Sequence, residues 1–249
     1  MSITEELQRA IIPGRILAVQ VGLSRTAVLA EAEDGIRCGL AATLSNPELD
    51  NHHQPSVRQA GHLHEIDYAE LAGLIESDSF TEVAIGLATI NALLPRDASS
   101  WVELNAEDYL VQNGAGKNVA MVGHFPVVNR LRACAGNLWV LELRPKEGDL
   151  PAEAAAEVIP QADIVAITGT TLINKTFDGL IKLCRPTAEV IMLGPSTPLS
   201  PVLHGHGVRM IAGTIVLDPQ KTVLGIGQGI SLHQLHQTGW IKFVTMKKE

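Results

Sequence analysis

The sequence predicts an α/β protein in which an α+β domain, residues 1–113, precedes a doubly wound sheet domain, residues 114–249. Two observations lead to this prediction. In the first part, three strand-like segments come before the helical segments, an order typical of α+β domains. After Lys117, short continuous apolar runs alternate with helical segments, and such runs suit parallel strands that are covered on both faces.

The predicted N-terminal domain begins with a short amphipathic helix that the pair Pro13-Gly14 ends. Strands follow at residues 15–21, 26–32 and 36–41, and Asp34-Gly35 predicts a hairpin between the last two. The polar segment 44–65 is predicted to be a surface loop or a domain boundary. Helices are predicted at residues 68–76 and 79–94 and from Asn105, and the glycine-rich segment 112–117 is predicted to be a hinge.

The predicted C-terminal domain repeats strand and helix along its length. An open, doubly wound sheet is the expected result of this alternation. A long final helix is predicted over residues 219–236, although three glycines interrupt it. The predicted strands lie at residues 119–122, 138–141, 164–168, 190–193, 208–212 and 240–246, and the other predicted helices lie at residues 126–134, 151–158 and 176–184, with a short one after Pro198.

Composition and charge exclude several classes of partner. The formal net charge is −8 and no long run of Lys or Arg occurs, so we expect no general affinity for nucleic acid or for an anionic membrane. No stretch approaches the roughly 20 apolar residues that span a bilayer, and the N-terminus lacks the features of a signal peptide. The three cysteines are scattered and form no C-x-x-C pair, which favours reduced thiols. A cytoplasmic protein is expected.

Candidate functional residues lie where the predicted parallel strands end, because these ends converge on one crevice. The residues there are glycines, which let a ligand approach the backbone, and hydroxyl or amide side chains, which hold a carboxylate, phosphate or ribose. Each of them alone is also an ordinary cap or turn residue. The set comprises Gly123, His124, Phe125, Glu142, Thr168, Gly169, Thr170, Thr171, Asn174, Gly194, Pro195, Ser196 and Thr197.

Two members of this set have side chains that can do acid–base chemistry. His124 is predicted to be a general acid or base, a metal ligand, or a hydrogen-bonded turn residue. Glu142 follows Gly123 by nineteen positions, a spacing at which an acidic residue commonly holds a ribose hydroxyl. The turn after Gly123 lacks the repeated glycines of a pyrophosphate-binding loop, which argues against a dinucleotide.

The remaining histidines suggest a second hypothesis, metal binding, against the alternative of solvated surface residues. A closed metal site needs three or four ligands, and the sequence does not show which histidines meet in space. No H-E-x-x-H or C-x-x-C motif accompanies them. The histidines are His52, His53, His62 and His64 in the polar segment, His204 and His206 around Gly205, and His233 and His236 three positions apart.

The strand-end motifs resemble those of a bacterial and archaeal family named for heavy-metal chelation. The resemblance rests on Gly123-His124-Phe125-Pro126, on residues 167–174 (ITGTTLIN) and 193–201 (LGPSTPLSP), and on residues 39–43 and 86–94 in the first part. It implies a first domain with a fold like the N-terminal domain of enolase, a second, Rossmann-like domain and a site in the cleft between them. Thr43 and Asn91 would then approach His124, Glu142, Thr170 and Ser196.

Two functions fit these features. The first is an enzyme that binds a small anionic or nucleotide-like ligand in the interdomain cleft and makes or modifies a metal-chelating molecule, with His124 as its catalytic residue. The second is a non-catalytic protein that binds a metal or a metal chelate. A structural or regulatory protein with a vestigial cleft is a third possibility. The sequence identifies neither a cofactor nor a particular metal.

Overall fold

A computed structural model describes residues 1–44 and 56–248. Its first part contains the helix α1 (Ile3–Ala10) and an antiparallel sheet of β1 (Arg15–Val21), β2 (Arg25–Ala32) and β3 (Gly35–Ala42). Three helices follow: α2 (Tyr68–Gly73), α3 (Phe80–Leu93) and α4 (Ala106–Gly114). The predicted hairpin is confirmed, because Ala32 pairs with Gly35 and Gly35 has a φ of 115° that favours glycine.

Close backbone packing fixes α3 on the small sheet. All but three of the fourteen residues of α3 are buried, and its apolar side chains extend around the whole helix. A Cβ atom at Gly39 of β3 would lie 2.0 Å from the carbonyl oxygen of Ala88, so only glycine allows this approach. Val28 and Ala41 belong to the core under α3, whereas the neighbouring residues Ala27 and Leu40 belong to a core on the opposite face.

The second part of the described chain contains a seven-stranded sheet of order β10-β9-β8-β7-β4-β5-β6. Strands β4 to β9 are parallel, and β10 is antiparallel to β9. Helices pack on both faces, as the continuous apolar runs predict. The strands are β4 (Asn118–Val122), β5 (Asn137–Glu142), β6 (Leu150–Pro151), β7 (Ile164–Thr168), β8 (Glu189–Leu193), β9 (Met210–Val216) and β10 (Ile241–Lys247), and the helices are α5 (Val128–Arg132), α6 (Ala155–Val158), α7 (Phe177–Leu183), α8 (Val202–Gly205), α9 (Pro219–Gly227) and α10 (Leu232–Gln237).

Two C-terminal elements differ from the prediction. The single helix predicted over residues 219–236 is wrong, since α9 ends at Gly227 and α10 begins after a new cap at Ser231. Gly229 lies between them with a φ of 82°, a backbone conformation that no α-helix accommodates. The helix predicted over residues 151–158 is reduced to one turn of 3₁₀-helix and the short α6, because the preceding residues pair with β5 as the unpredicted strand β6.

The two parts of the chain share a core. Helix α9 packs against the face of the small sheet that α3 leaves open, where Ile226 contacts the cluster containing Ala27 and Leu40. The Nζ atom of Lys175 also donates to the carbonyl oxygen of Glu76, 3.2 Å away. None of the helices within residues 1–44 and 56–248 is long and apolar enough to cross a membrane.

Candidate functional site

The strand order places a crevice between the carboxyl ends of β4 and β7. The chain leaves β4 toward β5 on one side of the sheet and later returns to β7 on the other, so the connecting loops diverge here. Such a switch point is the usual ligand site of an open α/β sheet. A cavity of about 310 Å³ occupies it. Eight of the residues predicted for the site line this cavity: Gly123, His124, Phe125, Glu142, Thr168, Thr170, Thr171 and Asn174.

Gly123 sets the direction of the first loop. Its φ is 104°, and a Cβ atom there would lie 3.2 Å from the side chains of both Phe125 and Thr168. This turn brings the backbone N–H of His124 onto Glu142, whose Oε1 accepts it at 2.7 Å. Glu142 Oε2 has no hydrogen-bond partner among the described residues, which leaves one carboxylate oxygen for a ligand.

Asp149 holds the imidazole of His124. The His124 Nδ1 atom lies 2.9 Å and 3.1 Å from the two carboxylate oxygens, and the backbone N–H of Lys146 donates to Oδ2 at 3.1 Å. The Asp149 side chain is fully covered, whereas 28% of the His124 side chain is exposed. Sequence reasoning missed Asp149, because a loop acid that follows Gly148 looks like an ordinary turn residue. Its position in the loop that leaves β5, at the same edge of the sheet as His124, was the available signal.

The charge of Asp149 fixes which nitrogen of His124 carries the proton. Burial raises the pKa of the Asp149 carboxyl, but the hydrogen bonds from His124 and Lys146 outweigh it, so the pKa lies below its ordinary value. An ionised carboxylate only accepts hydrogen bonds, and Nδ1 must therefore be the donor. In neutral His124 the lone pair is then on Nε2, which has no partner among the residues described.

The threonine loop after β7 forms the opposite wall of the crevice. Thr168 caps the 3₁₀-helix Gly169–Leu172, and its Oγ1 accepts from the hydroxyl of Thr170 at 3.1 Å. The hydroxyl of Thr171 donates to the carbonyl oxygen of Thr168 at 2.7 Å. Asn174 uses its Oδ1 to accept from Thr176, so its amide Nδ2 is left without a partner among the described residues.

Other predicted site residues lie at the contact between the small sheet and the large one. Ser196 is buried, and its Oγ accepts the backbone N–H of Ala42 at 2.8 Å. Asn91 Nδ2 donates to the carbonyl oxygen of Leu40 at 2.8 Å and to that of Ser196 at 3.4 Å. Thr43 shares a hydrogen bond of 2.9 Å with Thr26. Ser196 and Asn91 therefore link the small sheet to the loop after β8, whereas the bond of Thr43 lies within the small sheet.

The remaining predicted residues also lie away from the crevice wall. Gly169 packs on the next loop, since a Cβ atom there would lie 2.6 Å from the backbone N of Thr197. Thr197 Oγ1 and Asn91 Oδ1 are buried, have no partner in the described part of the chain, and line a cavity of only about 20 Å³. Gly194 and Pro195 are half-buried after β8, and Gly194 lines a second cavity beside Phe125. The structure thus divides the predicted set among the crevice, the contact of the two sheets and this second cavity.

The histidines outside the crevice have separate surroundings. His204 Nδ1 lies 2.8 Å from the carbonyl oxygen of Val208, His206 lies 3.3 Å from Glu6, and His236 stacks on Phe243. In residues 1–44 and 56–248, no three His, Cys, Asp or Glu side chains are grouped to hold a metal ion. The other histidines of the metal hypothesis are His62 and His64, which are exposed beside Glu65, His233 on α10, and His52 and His53, which lie outside the described residues.

Comparison with known proteins gives two family matches. Residues 105–245 match the DUF364 family and residues 4–94 match the DUF4213 family, both described as "Putative heavy-metal chelation". An uncharacterised protein of Methanocaldococcus jannaschii is 31% identical over 170 residues. That match covers 62% of this chain and 62% of the relative, so the chain spans less than two thirds of its length.

Two solved structures are similar over almost the whole chain. A DUF364 protein of unknown function from Desulfitobacterium hafniense is 26% identical, with a TM-score of 0.85, over 99% of this chain and 98% of its own. A second, from Pyrococcus horikoshii, is 20% identical with a TM-score of 0.84 and the same coverage, and it supports the fold alone. The predicted fold class and the family resemblance are confirmed. The likeness to enolase and the domain boundary at residues 113–114 stay predictions.

Proposed function

The chain belongs to the DUF364 family, described by heavy-metal chelation, and from this premise we propose that it is an enzyme that makes or modifies a small metal-chelating molecule. Its ligand is anionic or nucleotide-like and binds in the crevice between β4 and β7. The observation that carries the proposal is the pair of His124 and Asp149 at the switch point of the sheet. A buried carboxylate that orients an imidazole is the arrangement of a general base.

The crevice offers complementary groups to such a ligand. The unpartnered oxygen of Glu142 accepts a hydrogen bond from a ligand hydroxyl, as acidic residues at this position of nucleotide-binding sheets do. The hydroxyl of Thr170 and the amide of Asn174 line the same cavity from the other wall. The Thr170 proton is used on Thr168, so its oxygen accepts from a ligand donor, and the Asn174 amide donates to a ligand oxygen. His124 then acts on the ligand through Nε2, and Asp149 stabilises the imidazolium that forms.

A second candidate function is the binding of a metal chelate without turnover. The same pair of His124 and Asp149 favours it, because metal-ligating histidines commonly donate their other N–H to a carboxylate. The crevice supplies at most His124 and Glu142 as ligands, fewer than a closed site for a bare ion requires. The chelating molecule would therefore supply most donor atoms, and the metal would be cargo.

Ligand binding is tested with adenosine 5′-monophosphate, inorganic phosphate and citrate as probes, followed by amide NMR spectra. We expect at least one probe to shift the resonances of Gly123, His124 and Thr170. The Glu142→Gln variant should weaken binding of the nucleotide about tenfold or more, because a hydrogen bond to a charged acceptor is lost. The Glu33→Gln variant, at an exposed acid in the turn between β2 and β3, is the matched control and should bind like wild type. If none of the three probes shifts these crevice resonances, the proposal is wrong.

Catalysis is tested by incubating the protein with a metabolite extract and following compounds that disappear by mass spectrometry. We expect His124→Asn to remove turnover. Asp149→Asn should lower it by about 10²- to 10⁴-fold, because Asp149 positions the imidazole without touching the ligand. Full turnover by His124→Asn would show that the catalytic assignment is wrong. A metal retained by wild type and lost from His124→Asn, without turnover by either, would support the second candidate instead.

A further inference from the structure

A second, larger cavity lies on the other side of Phe125. Its volume is about 470 Å³, within the range of small-molecule sites. It lies at the carboxyl end of β8 and beside the middle of β9, and α10 and β10 form its other side. Among the described residues, Phe125 alone lines both this cavity and the crevice. Most of the lining is apolar, including Leu104, Leu193, Leu232, Phe243 and Val244.

Aromatic groups form one wall of this cavity. The rings of His236 and Phe243 stack with centroids 4.9 Å apart and an interplanar angle of 22°. Phe243 is 42% exposed, which is unusual for a phenylalanine that is partly covered by a neighbouring ring. An apolar ring in the cavity would cover this surface and gain a stacking contact.

One acidic residue at the rim has a carboxylate without a direct partner among the described residues. Glu107 lies at the start of α4 and lines the cavity, and its carboxylate has no hydrogen bond or ion pair in the part of the chain described. The nearby Arg130 is engaged by Asp108 at 2.7 Å. Burial, aided by the charge of Asp108, raises the pKa of Glu107, and the charge of Arg130 only partly opposes this rise.

We propose that this cavity is a second small-molecule site and that it takes an apolar ring carrying a protonated amine. The ring lies against Phe243 and the apolar lining, and the ammonium group pairs with Glu107. An apolar acid of the same size would place its carboxylate beside Glu107 and be repelled. The proposal does not depend on the function of the crevice, because it rests on residues that lie outside the crevice, apart from Phe125.

The test compares two fluorescent probes with the same ring and opposite charges. Wild-type protein is titrated with 1-naphthylmethylamine and with 1-naphthaleneacetate. We expect the amine to bind about tenfold more tightly than the acid, since a single partly buried charge decides between them. Glu107→Gln should bring the two affinities within about twofold of each other. Glu33→Gln removes the same charge from an exposed site that does not line the cavity and should preserve the ratio.

A second variant and an NMR measurement locate the probe. Phe243→Ala should weaken both probes by about 3- to 10-fold, because the stacking contact is lost whatever the charge. The amine should shift the ring protons of His236 and leave the amides of Gly123 and Thr170 unmoved, which separates this site from the crevice. Equal affinity for both probes in wild type, a preference that survives Glu107→Gln, or unmoved His236 protons would each overturn the proposal.

Discussion

Two groups of polar residues at the same edge of the large sheet are used in opposite ways. In the crevice, Glu142, Thr170 and Asn174 each keep an oxygen or nitrogen atom for a ligand. At the contact with the small sheet, Ser196 Oγ and Asn91 Nδ2 bond to protein backbone, and only Oδ1 of Asn91 is without a partner in the described part of the chain. Burial favours this difference, because a covered polar atom without a partner costs free energy, whereas an atom that lines a cavity is open to water or a ligand. Residue type alone therefore does not separate ligand binding from domain contact.

The largest expected effect is at Gly169, where the two groups meet. A Cβ atom there would lie 2.6 Å from the backbone N of Thr197 and 2.8 Å from the carbonyl carbon of Ser196. We expect Gly169→Ala to reduce the free energy of unfolding by roughly 3 kcal/mol, since backbone atoms must move apart. Urea denaturation measures the change.

Gly179 provides the matched control for that substitution. It lies within α7, and nothing in the described residues lies within 4 Å of its Cβ position. Gly179→Ala should stabilise the protein by about 0.5–1 kcal/mol through helix propensity. If the Gly169→Ala and Gly179→Ala variants had the same free energy of unfolding, the close approach of the loop after β7 to the loop after β8 would be wrong.

The next-largest expected effect comes from comparing one residue of each group, Ser196 and Thr170, in the free energy of unfolding. Ser196→Ala leaves the buried N–H of Ala42 without its acceptor and should cost about 1–3 kcal/mol of unfolding free energy. Thr170→Ala removes a hydroxyl at the crevice and should cost under about 0.5 kcal/mol, as most substitutions away from the core do. Denaturation curves measure both.

The same two variants should rank in the opposite order when ligand affinity is measured. Thr170→Ala should weaken the binding of a crevice probe such as adenosine 5′-monophosphate, while Ser196→Ala should leave it unchanged. If Ser196→Ala weakened probe binding more than Thr170→Ala, the division between the two groups would not hold.

The smallest expected effect is the contribution of Asp149 to the pH dependence of the free energy of unfolding. Because its pKa is lowered in the folded protein, ionised Asp149 stabilises the fold above about pH 4, and this stabilisation disappears as the pH falls through the lowered pKa. The difference in unfolding free energy between wild type and Asp149→Asn should therefore shrink between pH 6 and pH 3. A difference that stays constant over this range would argue against the bond between His124 and Asp149.

Much of the fold follows from local sequence patterns. The apolar runs of β4, β5, β7 and β8 predict strands covered on both faces, and the structure has them in the centre of the sheet. Their ends therefore predict where His124, Glu142 and Thr170 lie. The break between α9 and α10 was harder to predict from the sequence, because three glycines are compatible with either a bent helix or two helices.

The sequence by itself determined every named strand except β6, the sheet edge and the family, because each depends on neighbouring residues or on short motifs. Only the tertiary structure decided that Asp149, 25 positions from His124, orients its imidazole, and that Ser196 bonds to Ala42, 154 positions away. These contacts depend on how whole elements pack, and no local pattern specifies which distant side chain a loop will meet.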